Sequence, residues 1–128
     1  MSIKRNPIGW IEIPVLDLSR AAKFYESVFQ IEIQKVQFGT LLMGWLPSHE
    51  EAAGASGALV QFEAAYKPSS EFGPLVYFSS DDVNGELRRV EEAGGKILQT
   101  KTQISEEVGF MALVSDTEGN RIAIHSNK

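Results

Sequence analysis

Residues 9–18 are GWIEIPVLDL, and residues 74–83 are PLVYFSSDDV. In each stretch apolar side chains alternate along a strand, and each ends at an aspartate that can cap a following helix. The second stretch repeats the design of the first after 65 residues, so that Trp10 corresponds to Leu75. The chain therefore contains the same strand-into-helix unit twice.

This repeat predicts one domain over residues 1–128 that consists of two related modules, at about 7–63 and 74–127. A chain of 128 residues has the usual size of a single domain and is long enough to bury a core. We expect the functional site to lie where the two modules face each other.

The periodicity after each stretch predicts the remaining elements. In the first module, apolar residues at three- and four-residue steps predict a helix that ends at Phe29, followed by strands at 31–38, 40–46 and 58–63. In the second, a helix is predicted at 83–93 and strands at 96–103, 108–115 and 121–126. The predicted fold class is α+β, with the order βαβββ occurring twice.

Composition limits the possible partners and compartments. The net charge of −5 argues against a nucleic acid or an anionic membrane as partner. The chain has no cysteine, which excludes disulfides and thiolate metal sites. Residues 1–7 lack the apolar core of a signal peptide, and no apolar run is long enough to span a bilayer. We therefore expect a cytoplasmic protein.

Four segments occur in a characteristic order along nearly the whole chain. They are EIPVLDLSRAAKFYESVF at 12–29, DDV at 81–83, EEAGG at 91–95 and DTEGN at 116–120. Together they resemble the vicinal oxygen chelate superfamily, which contains glyoxalase I, bleomycin-resistance proteins and extradiol dioxygenases. The resemblance implies two βαβββ modules that form an open, curled mixed sheet around a cavity.

Enzymes of that superfamily hold a divalent metal with one His or Glu from the first strand and one from the fourth strand of each module. The corresponding positions here are Trp10, Gln61, Leu75 and Ala123. Trp, Leu and Ala offer no lone pair, and a neutral Gln is a poor ligand. We therefore expect no metal site and no cofactor. A metal site shifted to Glu12 and His125 would have only two ligands.

Strand alternation gives a set of cavity residues that does not depend on the resemblance. If one face of each strand packs against the helices, the other presents Trp10, Glu12, Gln61, Leu75, Tyr77, Ala123 and His125 as ligand-binding candidates. Leu59 would accompany Gln61, and the facing of Trp45 and Phe110 stays open. The set is aromatic and apolar with few polar groups, a composition that suits a small organic ligand.

Two residues keep more than one interpretation. Trp10 either stacks on a planar ligand or fills the cavity. Glu12 is the one candidate for acid–base catalysis, but no second catalytic group accompanies it, so whether the chain is an enzyme stays open.

Three functions follow from these observations. The metal positions favour a binding protein similar to the bleomycin-resistance branch, in which pockets lie at the interface of a homodimer. The alternative is a metal-dependent lyase, isomerase or dioxygenase of the glyoxalase I type with non-standard ligands. A dimerisation or regulatory module is the third, if Trp10 fills the cavity. The sequence specifies neither the ligand nor whether a dimer swaps its modules or packs them side by side.

Overall fold

The computed structural model of the protein describes residues 5–128, in which ten regular elements follow one another. They are β1 (Trp10–Pro14), α1 (Leu18–Phe29), β2 (Gln34–Phe38), β3 (Leu41–Trp45), β4 (Ser56–Gln61), β5 (Val76–Ser79), α2 (Val83–Val90), β6 (Lys96–Ser105), β7 (Gly109–Ser115) and β8 (Arg121–Ser126). The predicted βαβββ order is present in both halves. Residues 1–4 lie outside the described residues. They belong to the predicted domain and to the segment predicted to lack a signal peptide.

Helix α1 begins and ends where its sequence predicts. Asp17 has an extended backbone and accepts a hydrogen bond from the Arg20 N–H at 3.1 Å, which satisfies one of the free donors of the first turn. Gln30 adopts a left-handed conformation with φ of 55° and ends the helix by donating its N–H to the carbonyl of Glu26. The stripe between these ends is buried and consists of Leu18, Ala21, Ala22, Phe24, Tyr25 and Val28.

Helix α2 ends three residues earlier than its periodicity predicts. Asp82 caps its start by accepting from the Asn84 N–H at 3.0 Å. Beyond Val90 the chain turns, and the Gly95 N–H donates to the Val90 carbonyl at 3.0 Å. Gly94 has φ of 103°, a conformation that side chains disfavour, so the Gly-Gly pair closes the helix. Neither helix within residues 5–128 is long and apolar enough to cross a membrane.

The strands form two mixed four-stranded sheets, in the orders β1-β4-β3-β2 and β5-β8-β7-β6. The first strand of each module runs parallel to the fourth, and the other neighbours are antiparallel. Among the described strands none of one sheet pairs with one of the other, so the sheets do not form a closed barrel. The predicted α+β fold of two βαβββ modules is confirmed.

Strand β4 begins two residues earlier than predicted. Gly57 lies inside it, and a Cβ at this position would come within 1.9 Å of the Ile11 carbonyl oxygen. The glycine therefore allows β1 and β4 to lie close together, rather than belonging to the preceding loop.

One hydrophobic core joins the two modules. Both helices contribute to it, and so do the helix-facing sides of both sheets, through residues such as Ile13, Leu59, Val114, Ile122 and Ile124. The ring of Tyr25 on α1 stacks on Phe78 of β5 with centroids 5.6 Å apart, so the first helix also contacts the second sheet. Because each sheet buries its helix-facing side in this common core, the opposite sides point outward.

Glu118, in the turn between β7 and β8, connects the second module to the start of α1. Its Oε1 accepts hydrogen bonds from the backbone N–H groups of Leu16 at 2.9 Å and Asp17 at 2.8 Å. The Arg20 guanidinium donates to both carboxylate oxygens, at 2.7 and 2.8 Å. Burial raises the pKa of Glu118, but the hydrogen bonds from Arg20, Thr117 and the two backbone groups outweigh it and lower that pKa below its ordinary value.

Two further residues of the same turn strengthen this connection. The Tyr25 hydroxyl donates to Asp116 at 2.6 Å, and the Asn120 amide donates to the Pro14 carbonyl at 2.7 Å. Asp116 also accepts from the backbone N–H groups of Glu118 and Asn120, both at 2.8 Å, which fixes the shape of the turn. Burial and the nearby Asp116 raise the pKa of Tyr25, so this hydroxyl stays protonated as the donor.

We expect Glu118→Gln to lower the free energy of unfolding at neutral pH by about 1.5–3 kcal/mol, the usual contribution of hydrogen bonds to a charged group. A carboxylate whose folded-state pKa is lowered stabilises the protein above its unfolded pKa, and this stability disappears as the pH falls through the folded value. The difference between wild type and variant should therefore shrink below about pH 4.5. Urea unfolding over this pH range measures it.

The matched control is Glu92→Gln, which neutralises an exposed carboxylate beyond α2. Its unfolding free energy should equal that of the wild type within about 0.5 kcal/mol. A loss in Glu118→Gln that stayed constant down to pH 3 would show that the charge of Glu118 is not what holds the turn.

Candidate functional site

The outward sides of the two sheets, here called the outer faces, contain most of the residues predicted to bind a ligand. On the first sheet, strand register places on this side Trp10, Glu12, Met43, Trp45, Ala58 and Val60. On the second it places Tyr77, Met111, Leu113, Ala123 and His125. Trp10 is 48% exposed and Tyr77 50% exposed, although both are large aromatic residues. Large aromatic side chains that stay exposed in this way are typical of binding surfaces.

Glu12 and Trp10 form a polar cluster on the first outer face with Tyr66, a residue of the linker. The Tyr66 hydroxyl donates to Glu12 Oε1 at 2.5 Å, and the Trp10 indole N–H donates to Glu12 Oε2 at 3.3 Å. The hydrogen bond to Glu12 raises the pKa of Tyr66, because ionisation of the hydroxyl would remove the donor. One carboxylate is thus oriented by two aromatic side chains.

The linker after β4 covers part of the first outer face. Phe62 and Tyr66 pack over Met43, Ala58 and Val60, and their rings meet edge to face with centroids 6.4 Å apart. The cluster fills the middle of the face and leaves Trp10 and Trp45 exposed at its edge. Tyr66 is not among the residues predicted from the sequence to bind a ligand. The available signal was its spacing of four residues from Phe62, another aromatic residue.

The second outer face contains the predicted residues of the second module. Tyr77 lies beside Ala123 in the parallel pair of β5 and β8, and Leu75 immediately precedes β5. Ala123 is completely buried under its neighbours. His125 lies at the end of β8, where its Nε2 forms a hydrogen bond with the carbonyl of Val108. This face therefore offers a tyrosine and apolar side chains, with His125 bonded to the backbone at one end.

Gln61 does not lie with the other candidates, which corrects its predicted facing. Its Oε1 accepts the Leu18 N–H at 2.7 Å, so the side chain caps α1 on the opposite side of the sheet. Leu59 likewise belongs to the common core. The error arises because β4 is buried on both sides, so that its sequence shows no alternation.

The internal repeat shows that Gln61 is not the fourth-strand position of the first module. Ser126 lies 65 residues after Gln61 and performs the same task in the second module, accepting the Val83 N–H at 3.2 Å. The same offset relates Ala123 to Ala58, which pairs with Glu12 on the first outer face. Ala58 is therefore the fourth-strand position of the first module.

The structure also resolves two facings that the sequence left open. Trp45 pairs with Ala58 and lies on the first outer face, where 36% of it is exposed. Phe110 lies two and four residues before Ala112 and Val114, so it shares their side of β7, which faces the helices. The Lys101 ammonium lies over its ring, 4.6 Å from the centroid.

The donor set does not fit the divalent metal that the fold implies. With Ala58 in place of Gln61, the four positions hold Trp10, Ala58, Leu75 and Ala123, none of which has a side-chain lone pair suited to a metal. Glu12 and His125 belong to different sheets, and His125 already bonds to the backbone. Within residues 5–128, no three His, Asp or Glu side chains converge as a ligand set.

A cavity of about 300 Å³ lies elsewhere, on the helix side, where the free edges of β1 and β5 approach. Ile11 and Ile13 line one wall and Val76 and Phe78 the other. Phe29 contributes to its lining and stacks on Phe78 with centroids 4.4 Å apart. Apart from Tyr77, none of the predicted ligand-binding residues lines this cavity.

Comparison with known proteins gives consistent matches over the whole fold. Residues 7–124 match the family model described as the Glyoxalase/Bleomycin resistance protein/Dioxygenase superfamily. A glyoxylase-like domain-containing protein of Didymella fabae is 31% identical over 125 residues, which cover 95% of this chain and 94% of that protein.

Two solved structures illustrate the range of similar folds. Glyoxalase I from Zea mays has a TM-score of 0.72 at 20% identity, over 94% of this chain and 46% of the maize chain, so this chain spans about half its length. TnmS3, an antibiotic binding protein from Streptomyces sp. CB03234, has a TM-score of 0.69 at 21% identity, over 99% of this chain and 100% of its own.

The position of Gln61 leads to a mutational prediction. Gln61→Ala should lower the free energy of unfolding by about 1–2 kcal/mol, because the Leu18 N–H at the start of α1 loses its acceptor. Urea unfolding followed by circular dichroism measures this loss. The control Gln34→Ala removes an exposed amide from β2 and should change stability by less than about 0.5 kcal/mol. Equal stabilities of the two variants would contradict the assigned facing of Gln61.

Proposed function

The chain belongs to the glyoxalase/bleomycin resistance protein/dioxygenase superfamily, and we propose that within it the chain is a binding protein for a small organic molecule. The observation that carries this proposal is the exposure of Trp10 on the outer face, at a position where the superfamily's enzymes place a metal ligand. An exposed indole offers a flat apolar surface to a planar molecule. TnmS3, an antibiotic binding protein, has the same fold.

Binding without a metal is part of the proposal. The side chains at the four inherited positions cannot coordinate a divalent ion, so we derive no step of metal chemistry from them. Trp10 is 48% exposed in one chain, so it fills no cavity there, and we assign it to stacking on a ligand. The net charge of −5 favours a small molecule over a nucleic acid as partner, and a cytoplasmic location completes the proposal.

The ligand site that we propose is completed by a second copy of the chain. In one chain the two outer faces point away from a common core, so they cannot enclose a molecule between them. The outer face of the first module opposed to that of a partner's second module would cover the exposed Trp10, Trp45 and Tyr77. A homodimer of this kind would contain two equivalent pockets.

Both tryptophans of the chain lie on the first outer face, so intrinsic tryptophan emission reports binding there directly. We expect planar aromatic compounds to quench or shift this emission and to bind measurably by calorimetry. Trp10→Ala should weaken binding of any such compound about tenfold or more, because truncation of a central aromatic residue typically removes that much affinity. Phe72→Ala is the control, since Phe72 is 81% exposed in the linker and outside the proposed pocket.

Two results would contradict this proposal. One is the absence of binding by every member of a broad set of planar compounds. The other is calorimetric binding of nickel, zinc, manganese or ferrous iron at one ion per chain, which would favour a metal-dependent lyase, isomerase or dioxygenase with non-standard ligands.

The proposed dimer predicts a mass in solution of twice the 14.1 kDa of one chain, measurable by sedimentation equilibrium. Trp45→Glu should dissociate it, because a carboxylate at position 45 would be buried at the interface without the hydrogen-bond donors that Glu12 receives from Tyr66 and Trp10. Phe72→Glu introduces the same charge on an exposed linker residue and should leave the mass unchanged. A wild-type protein that stays monomeric at all concentrations would exclude the dimer.

A further inference from the structure

The cluster of Glu12, Trp10 and Tyr66 has an electrostatic character that the rest of the first outer face lacks. The other residues at its centre are Met43, Ala58 and Val60, all uncharged and apolar. The Glu12 carboxylate projects beside them and is exposed. Within residues 5–128 it takes part in no ion pair. Among the described residues, therefore, a negative charge without an ion-pair partner lies next to an apolar, aromatic surface.

The two hydrogen bonds to Glu12 orient this charge without neutralising it. Tyr66 and Trp10 each occupy one carboxylate oxygen, at 2.5 and 3.3 Å, and both donors are neutral. A carboxylate has about four lone-pair directions, so each oxygen can still accept from a ligand. Both donors are aromatic, Trp10 exposed and Tyr66 half-buried. A carboxylate accompanied by accessible aromatic rings attracts a cation by direct charge and by the ring quadrupole.

We propose that the ligand of this site is an organic cation, a molecule in which an ammonium or quaternary ammonium group is attached to a planar or apolar body. The cationic group lies against Glu12 and the rings of Trp10 and Tyr66, and the body lies over the exposed indole and Trp45. This inference rests on the proposed binding function and adds the chemical class of the ligand. It also assigns Glu12 to charge recognition rather than to acid–base catalysis.

The internal repeat makes the proposed site directional. The residue 65 positions after Glu12 is Tyr77, and the one 65 positions after Trp10 is Leu75, so the second outer face has no equivalent carboxylate. A ligand enclosed between a first and a second module would thus meet the negative charge on one side only. A molecule with one cationic end and one apolar end fits this arrangement, whereas an anion or a dication does not.

The test uses two probes of the same shape that differ in charge, para-(trimethylammonio)phenol and its neutral isostere para-tert-butylphenol. Calorimetry on the wild-type protein should show the cation binding about tenfold more tightly than the neutral probe. Added salt should weaken only the cation, because its advantage is electrostatic.

Three variants locate the effect. Glu12→Gln keeps the size of the side chain and should remove most of the cation's advantage, leaving only the contribution of the rings, with the affinity of the neutral probe unchanged. Tyr66→Phe keeps the ring but removes the hydroxyl that orients Glu12, and should reduce the preference for the cation in part. Glu32→Gln neutralises an exposed carboxylate outside the cluster and should leave the preference intact.

The outcomes separate this inference from the function on which it rests. Equal binding of both probes to the wild type would overturn the cation inference while the proposed binding function stands. A preference for the cation that is undiminished in Glu12→Gln would overturn it too. Binding of neither probe at millimolar concentration would count against both.

Discussion

The arrangement of the whole chain depends on one buried carboxylate, that of Glu118. A buried charge must be paired and hydrogen-bonded. All the partners of this carboxylate except the neighbouring Thr117 lie at the entry to α1, about a hundred residues earlier in the chain. The turn that contains Glu118 must therefore pack against the start of α1. Because β7 and β8 flank this turn, the contact also positions the second sheet. The Tyr25–Asp116 hydrogen bond and the stacking of Tyr25 on Phe78 then complete the contact between modules.

That contact determines which surfaces remain for function. The helix-facing sides of both sheets are used in the common core except at the cavity between β1 and β5, which leaves the outer faces as the main surfaces for a ligand or a partner. On a surface of this kind, large aromatic residues expose apolar area to water unless something covers them. Trp10, Trp45 and Tyr77 are so exposed, and the only carboxylate among the sequence-predicted ligand residues is held by two aromatic donors. The fold and the composition of the faces thus support the same binding role.

The sequence predicted the fold well because helix caps and apolar periodicity are local signals. Asp17 and Asp82 cap the two helices, and Ile11, Ile13, Val76 and Phe78 pack towards the core as their alternation indicated. The prediction failed for Gln61 because a strand buried on both sides has no alternation, so its facing is decided by pairing with β1. Tyr66 could not be placed either, since its contact with Glu12 spans 54 residues and depends on how the linker folds back. Whether the faces bind a ligand remains a prediction from both sequence and structure.

The Glu118 contact also breaks the symmetry of the repeat. Counting 65 residues back from Glu118 gives Ala53, and counting 65 forward from Arg20 gives Gly85, so these residues provide no reciprocal ion pair. The second module obtains the acceptors for its helix entry from its own residues, Ser80, Asp82 and Ser126. The first module obtains one of its acceptors, the Glu118 carboxylate, from the second module. The two halves have the same backbone fold, but the first depends on the second for hydrogen-bond acceptors at its helix entry. An isolated first half would therefore lack acceptors that an isolated second half keeps.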